Sequence, residues 1–275
     1  MAINRVPGEI VCIDWAGDTL PLVFISETGE FKKAHLFLTT VSVSSYCFAM
    51  AFPNEKVNHF IMGTVKALEF YGAVPKILKP DNTKTAPIKN TKDTLILDEA
   101  YADLQMFYNV VIVPAPVRKP QGKPSVENHV KWLETHLLEK LRGRFFTSFD
   151  DLNLEISIII NELNTRPYQK DKKGSRLQVF ETFDKPSMKP LPKDSFVLYD
   201  YKICTVPSNY HIAYDNHYYS VPFSYYKQEL TVKASLFDII ICDQMNRQIC
   251  KHKRSYKAFP SFFSIFLQFL FVFSP

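Results

Sequence analysis

Apolar positions change period several times along this chain, and each change predicts an element. Glu9–Trp15 (EIVCIDW) is a short β-rich run that ends on an acid. Leu20–Ile25 reads as a second strand, with Thr28–Gly29 in the turn after it. Phe31–Val43 and Ser45–Phe52, rich in Val, Phe, Tyr and Thr, are strand-like too. The set predicts a meander of three antiparallel strands. At Val57 the period lengthens: Val57, Phe60, Ile61, Val65, Leu68 and Tyr71 share a helical face, and Gly72 stops the helix. Pro75–Lys79 is a short strand running into Pro80-Asp81-Asn82. Leu95–Phe107 reads as a helix, and Asn109–Val113 as a buried strand ended by Pro114.

Pro114–Phe146 joins a basic, Pro-rich loop to a helix. Ser125 is a good N-cap for that helix, and Glu127 falls in its first turn. Val126, Val130, Leu133, Leu137 and Leu141 make one apolar stripe, and Glu127 sits at its rim. Around this acid lie Arg118, Lys119, Lys123, Lys131, Arg142 and Arg144, the makings of a basic channel for a polyanion. A second long helix runs from Phe149 to Leu163, capped near Ser148 or Asp150. Strands in antiparallel order, then strands alternating with helices, predict an α/β fold for residues 1–165: a mixed sheet flanked by helices. Residues 166–193, with eight Lys/Arg against three Asp/Glu and four prolines, read as a basic linker. Beyond it, Tyr199–Val206, His211–Val221, Glu229–Ala234, Ile239–Cys242 and Gln248–His252 read as strands of a small C-terminal β-barrel-like domain, residues 194–257.

Composition narrows the function. Hydrophobic residues make up 46% and charged residues 22% of 275, a globular balance. The net charge of +5 is modest, so its placement matters more than its size. Five scattered cysteines form no CxxC pair, which argues against a zinc site or a disulfide framework and fits a reducing cytoplasm. MAINRVPGEI is no signal peptide. The apolar run Phe262–Phe273 is too short to span a bilayer, so no membrane association is expected.

Three acids stand at element ends: Asp14 after the first strand, Asp81 after the strand that follows the first helix, and Glu127 opening a later helix. If the two strands are neighbours, Asp14 and Asp81 meet, and the helix brings in Glu127. Hard divalent cations prefer such carboxylate oxygens, and two of them can drive phosphodiester chemistry. Each acid also has a plain reading, Asp as a turn residue and Glu127 as a solvated acid favoured by the helix dipole. Lys84, close after Asp81, is read equally as a phosphate contact and as a solvated lysine.

The neighbours of these acids carry more information. IDWAGD, LKPDNTKTA and QGKPSVENHV, then LRGRFFTSFDDLN, NTRPYQKDKKGSR, FETFDKPSMKPLP and NYHIAYDNHYYSVPF, closely resemble the IstA-type transposases of bacterial insertion sequences. The resemblance covers about residues 7 to 255. It implies a DDE transposase with an RNase H-like, integrase catalytic core and the triad Asp14, Asp81 and Glu127. In this sequence 67 positions separate the first two acids and 46 the last two. It implies a two-metal site for Mg²⁺ or Mn²⁺, action on element ends and target DNA, an AAA+ ATPase helper and a homo-oligomer on DNA. Members of that family carry helix-turn-helix segments upstream of the RVPGE-like stretch. Met1 lies six residues before Pro7, so the chain is expected to be an N-terminally truncated copy. The uncharged tail from 258 to 275, with six Phe in its last fifteen residues, departs from the family pattern and is expected to lie outside the fold. Two other readings stand beside strand transfer: a catalytically silent DNA-binding remnant, and a structure-specific nuclease of the same fold.

Overall fold

The computed structural model describes residues 5–17, 22–25, 29–81, 88–91, 94–97, 99–114, 124–168, 174–257 and 260–263. They fall into two units, Met1–Phe196 and Val197–Pro275. In the first, β1 (Ile10–Trp15) leads through the hairpin β2 (Leu22–Ile25) and β3 (Glu30–Lys33) into β4 (His35–Val41) and β5 (Cys47–Phe52). Then come α1 (Val57–Tyr71), β6 (Ala73–Val74), β7 (Ile77–Pro80), the hairpin β8 (Ile88–Thr91) and β9 (Thr94–Leu97), α2 (Glu99–Tyr108) and β10 (Val111–Ile112). The unit ends with α3 (Pro124–Leu141), β11 (Phe145–Phe146), α4 (Phe149–Thr165), α5 (Arg176–Val179) and β12 (Lys189–Pro190).

The main sheet has the order β10-β7-β1-β4-β5. β4 runs antiparallel to β1 and β5, whereas β7 is parallel to β1 and β10 parallel to β7. This is a mixed sheet, as expected. The expected simple meander is corrected, because β2 and β3 leave the sheet and form their own with β11. The predicted Phe31–Val43 strand breaks at Ala34, where it passes from one sheet to the other.

β1 is buried on both faces, so its apolar run is nearly continuous. Alternation sends Val11, Ile13 and Trp15 to one side and Cys12, Asp14 and Ala16 to the other. On the first side Trp15 meets Phe37 and Phe52 edge-on, and Phe60 of α1 packs on Phe37 and on Tyr101 of α2. On the second, Cys12 and Ala16 join a cluster with Val130, Leu133, Leu137 and Leu141 of α3 and Leu152, Ile156, Ile160 and Leu163 of α4. The predicted α3 stripe is therefore the buried one from Val130 onward, and Asp14 lies on the strand face that α3 covers.

Helix ends follow local chemistry. Gly72 ends α1 at φ 64°, donating its N–H to Glu69 and Leu68. Ser148 caps α4 by accepting from the Asp151 N–H. α3 starts at Pro124, so Ser125 lies inside the helix and is not its N-cap; proline's fixed φ suits the first helical position. Only the second part of Leu95–Phe107 is helical. Thr94–Leu97 is a strand paired with Ile88–Thr91, its apolar residues being equally at home in β structure.

The segment read as a basic linker is part of the first unit where it is described. Phe180 is buried and stacks on Tyr46 at 4.4 Å, and β12 pairs with β6. Asp184 is fully buried, its carboxylate accepting from the Gly8 N–H at 2.8 Å and the Ser44 N–H at 2.9 Å. Gly8 has φ +66°, and a Cβ there would stand 2.6 Å from the Asp184 carbonyl oxygen. Asp184 thus ties the segment to both the entry of β1 and the β4–β5 turn. Asp184→Ala orphans two buried N–H groups and is expected to destabilise the chain by about 2–4 kcal/mol. A urea-denaturation midpoint that does not move would refute this anchoring role.

The second unit comprises two sheets around one apolar cluster. Sheet one holds β13 (Asp200–Thr205), β16 (Glu229–Ala234), β17 (Asp238–Cys242) and β18 (Gln248–Lys253); sheet two holds β14 (His211–Tyr214), β15 (His217–Ser220) and β19 (Phe262–Phe263). Val206, Ile212, Tyr219, Leu230, Val232, Ile239 and Ile241 fill the space between. The single strand predicted over His211–Val221 is a hairpin. Asp215 and Asn216 both take positive φ, as a two-residue turn demands. The tail begins inside this unit: Phe262 and Phe263 pair with Tyr218 and Tyr219, ring on ring at 4.7 and 5.3 Å. That corrects the expectation for Phe262 and Phe263; positions 258, 259 and those from 264 on lie outside those described.

Candidate active site

Two of the three predicted acids meet at the C-terminal ends of adjacent parallel strands. The Asp81 N–H donates to the Ile13 carbonyl at 2.9 Å, continuing the β1–β7 ladder to the residue beside Asp14. Neighbouring strands lie about 4.8 Å apart, so the two carboxylates share one mouth of the sheet. Asp81 is exposed and Asp14 half-buried. The Asp14 carboxyl is pushed up to about 7, first by burial and then by the Asp81 charge; Glu134 and Glu55 add to this, and a hydrogen bond from the Trp15 backbone opposes it. Two acids crowded at a partly desolvated strand end form a site that a cation would relieve.

Glu127 belongs to α3, the helix covering the Asp14 face of the sheet, and its side chain lies outside those described. Among the described residues no three acid, His or Cys side chains gather closely enough to hold a metal ion. Sequence reasoning missed Glu134. It stands seven residues after Glu127, two helical turns on and on the same rim of α3. Its carboxylate accepts from the Gly17 N–H at 2.7 Å, and its charge reaches Asp14. The seven-residue repeat of an acid beside the apolar stripe was the available signal.

The predicted DNA contacts fare differently. Lys131 and Arg142 line one groove of about 520 Å³ along α3, with Gly17, Glu134, Thr135, Leu138 and Glu139. Arg144 is not in that groove lining; it is ion-paired with Glu155 of α4 at 2.5 Å. Lys84, Arg118, Lys119 and Lys123 lie outside the described residues. Among the described residues no helix is long and apolar enough to cross a membrane.

The sequence is similar to two proteins bearing transposase names. One is y4uI of Sinorhizobium fredii, 35% identical over 236 residues, covering 86% of this chain and 46% of the relative. The other, of insertion sequence IS408 of Burkholderia multivorans, is 34% identical over 248 residues, covering 90% of this chain and 47% of the relative. The chain is related to insertion-sequence transposases. The transposase of insertion sequence IS21 of Pseudomonas aeruginosa is a more distant relative of this transposase-like chain, 23% identical over 84% of it and 58% of the relative. The family described as Mu transposase, C-terminal domain, matches residues 191–259, which take in the second unit's sheets up to β18. This transposase-related chain spans about half the length of the first curated relatives it matches. Among solved structures, an HTLV-2 integrase catalytic core domain in complex with magnesium is similar at TM-score 0.43 and 12% identity, over 64% of this chain and 97% of that one. A chain of a simian T-cell lymphotropic virus intasome is similar at TM-score 0.47 and 13% identity, over 90% and 82%.

Proposed function

We propose that this chain contains the catalytic core of a DDE transposase that cuts and joins DNA at the ends of an insertion sequence. The observation that supports this most is the pairing of Asp14 and Asp81 at adjacent strand ends, beneath the helix that carries Glu127. The donor set is all carboxylate, which suits Mg²⁺ or Mn²⁺. Asp14, Asp81 and Glu127 would hold two such ions. When bound, they supply charge that activates the attacking oxygen and stabilises the leaving one.

The chain's own residues do the rest. By holding the ions the carboxylates would fix where the scissile phosphodiester sits, and Lys131 and Arg142 would neutralise flanking phosphates along α3. A water oxygen bonds to phosphorus as the bond to the 3′ oxygen breaks, leaving a 3′-OH on the element. That hydroxyl oxygen then bonds to a phosphorus of target DNA in line as the bond to the target's 3′ oxygen breaks, which leaves as a 3′-OH, so no covalent enzyme intermediate forms. Oligomer assembly on DNA and an AAA+ ATPase helper that selects the target belong to the same proposal. Both neighbouring acids are retained, which favours this reading over a silent DNA-binding remnant. The test is strand cleavage of an element-end duplex with Mg²⁺ or Mn²⁺ against a chelator control. No metal-dependent nicking in either metal would refute catalysis.

Binding itself has a separate expectation. Basic residues outnumber acids seven to three over Ala115–Arg144, and Asn246–Lys257 holds five Lys/Arg and no acid. Phosphate neutralisation releases counterions, so duplex affinity is expected to fall about a hundredfold between roughly 50 and 200 mM salt. Little preference for the element end over a scrambled duplex is expected, because phosphate contacts carry no sequence information of their own. Salt-independent binding would undercut the electrostatic account. Strong end preference would show that the core or β-domain reads bases.

A further inference from the structure

Apolar packing sets the gap between a helix and a sheet but is non-directional. The apolar cluster that Cys12 and Ala16 share with Val130, Leu133 and Leu137 holds α3 over β1. It does little to stop the helix from sliding or turning by a few degrees. A directional link does, and there is one at the critical place. Gly17, three residues beyond Asp14, donates its backbone N–H to the Glu134 carboxylate at 2.7 Å across 117 residues of chain. A hydrogen bond to a charged acceptor is short and angle-dependent. It joins the strand end that presents Asp14 to the helix rim that, two turns earlier and about 10 Å along the axis, carries Glu127.

We propose that Glu134 is a positioning residue: by accepting the Gly17 N–H it sets the rotation and height of α3 relative to the end of β1, and so the spacing of Glu127 from Asp14. The inference rests on the metal-site reading given above. The hydrogen bond is exposed. Its contribution to global stability is therefore small, and its consequence lies in geometry. Side chains that orient metal ligands without touching the metal commonly change affinity by about 10–100-fold when removed.

The test is a Mn²⁺ titration of the full chain, reading free Mn²⁺ by electron paramagnetic resonance, with thermal melting run in parallel. Glu134→Ala is expected to weaken Mn²⁺ binding by about tenfold or more while leaving the metal-free melting temperature nearly unchanged. Glu134→Gln keeps an oxygen that can accept the Gly17 N–H, and is expected to stay within about threefold of the unsubstituted chain. A purely electrostatic role predicts that Gln fails as badly as Ala, which would overturn the proposal. Glu134→Ala binding Mn²⁺ as tightly as the unsubstituted chain would overturn it too. If the unsubstituted chain and Asp14→Asn bind Mn²⁺ equally poorly, the metal site itself falls and the proposal falls with it. The unsubstituted control thus separates the two failures.

Discussion

Asp81→Asn is expected to abolish Mg²⁺-dependent strand cleavage, by at least about a thousandfold, or about 4 kcal/mol of transition-state stabilisation. The substitution is nearly isosteric. Asp81 follows β7 on the surface, and its structural link to β1 runs through its backbone N–H, which asparagine retains. What changes is the charge. An amide oxygen is a weak ligand for a hard cation, and Asp14 and Glu127 would be left to hold the proposed pair of ions with one carboxylate fewer. The fold should therefore survive, with unchanged circular dichroism and salt-dependent DNA binding, while cleavage disappears. Asp14→Asn should lose activity to the same extent. Cleavage by Asp81→Asn within about tenfold of the unsubstituted chain would remove this residue from the mechanism. Residual chelator-insensitive nicking would mark a contaminant.

The sequence carried the end of α1, the start of α4 and the buried face of α3 well because these are written locally, whereas the starts of α2 and α3 were misplaced. The stripe from Val130 to Leu141, Gly72 after α1 and Ser148 before α4 are local signals, and all lie where their chemistry places them. Strand partners were less legible, since pairing is a long-range fact. Nothing local tells that β2 and β3 leave the main sheet to join Phe145–Phe146. The acids at the ends of β1 and β7 were found because strand ends on a mixed sheet are a known location for chemistry. Glu134 was missed because an acid at a helix rim looks like solvated surface. Asp184 was missed for the opposite reason. Set in a Lys- and Pro-rich stretch, it reads as linker, yet it is fully buried against two backbone N–H groups. Its role depends on Gly8 and Ser44, which lie 176 and 140 residues away.

The metal-free chain is expected to lose stability as pH rises from about 4 to about 7, in the part contributed by Asp14. This carboxyl is raised from an ordinary 3.8 to about 7, chiefly by burial and next by the charge of Asp81. Below about pH 4 both folded and unfolded chains hold the proton, and the contribution is fully present. Between the two values the unfolded chain releases it and the folded chain keeps it, so the native state loses ground. Above about 7 the loss levels off, on the order of 4 kcal/mol in total. His59 works the other way. Burial lowers it to about 4, so it adds stability as pH climbs through the same window, and His252 is lowered in the same sense. The carboxylates of Asp151, Glu155 and Asp243 are held low by hydrogen bonds and lose their contributions only under more acid conditions. The quantity to measure is therefore the difference between Asp14→Asn and the unsubstituted chain. Asparagine carries no charge at any of these pH values, so its advantage without metal should grow from pH 5 to pH 8. Added Mg²⁺ should reverse the order. A divalent cation binds the ionised carboxyl and displaces its proton, so affinity should climb about tenfold per pH unit up to about 7 and then flatten. Urea midpoints for the two proteins at a series of pH values, with Mg²⁺ and with chelator, give both curves. A difference that stays constant with pH would show that Asp14 is already ionised in the folded chain, and that burial and the neighbouring Asp81 charge do not hold the proton in place.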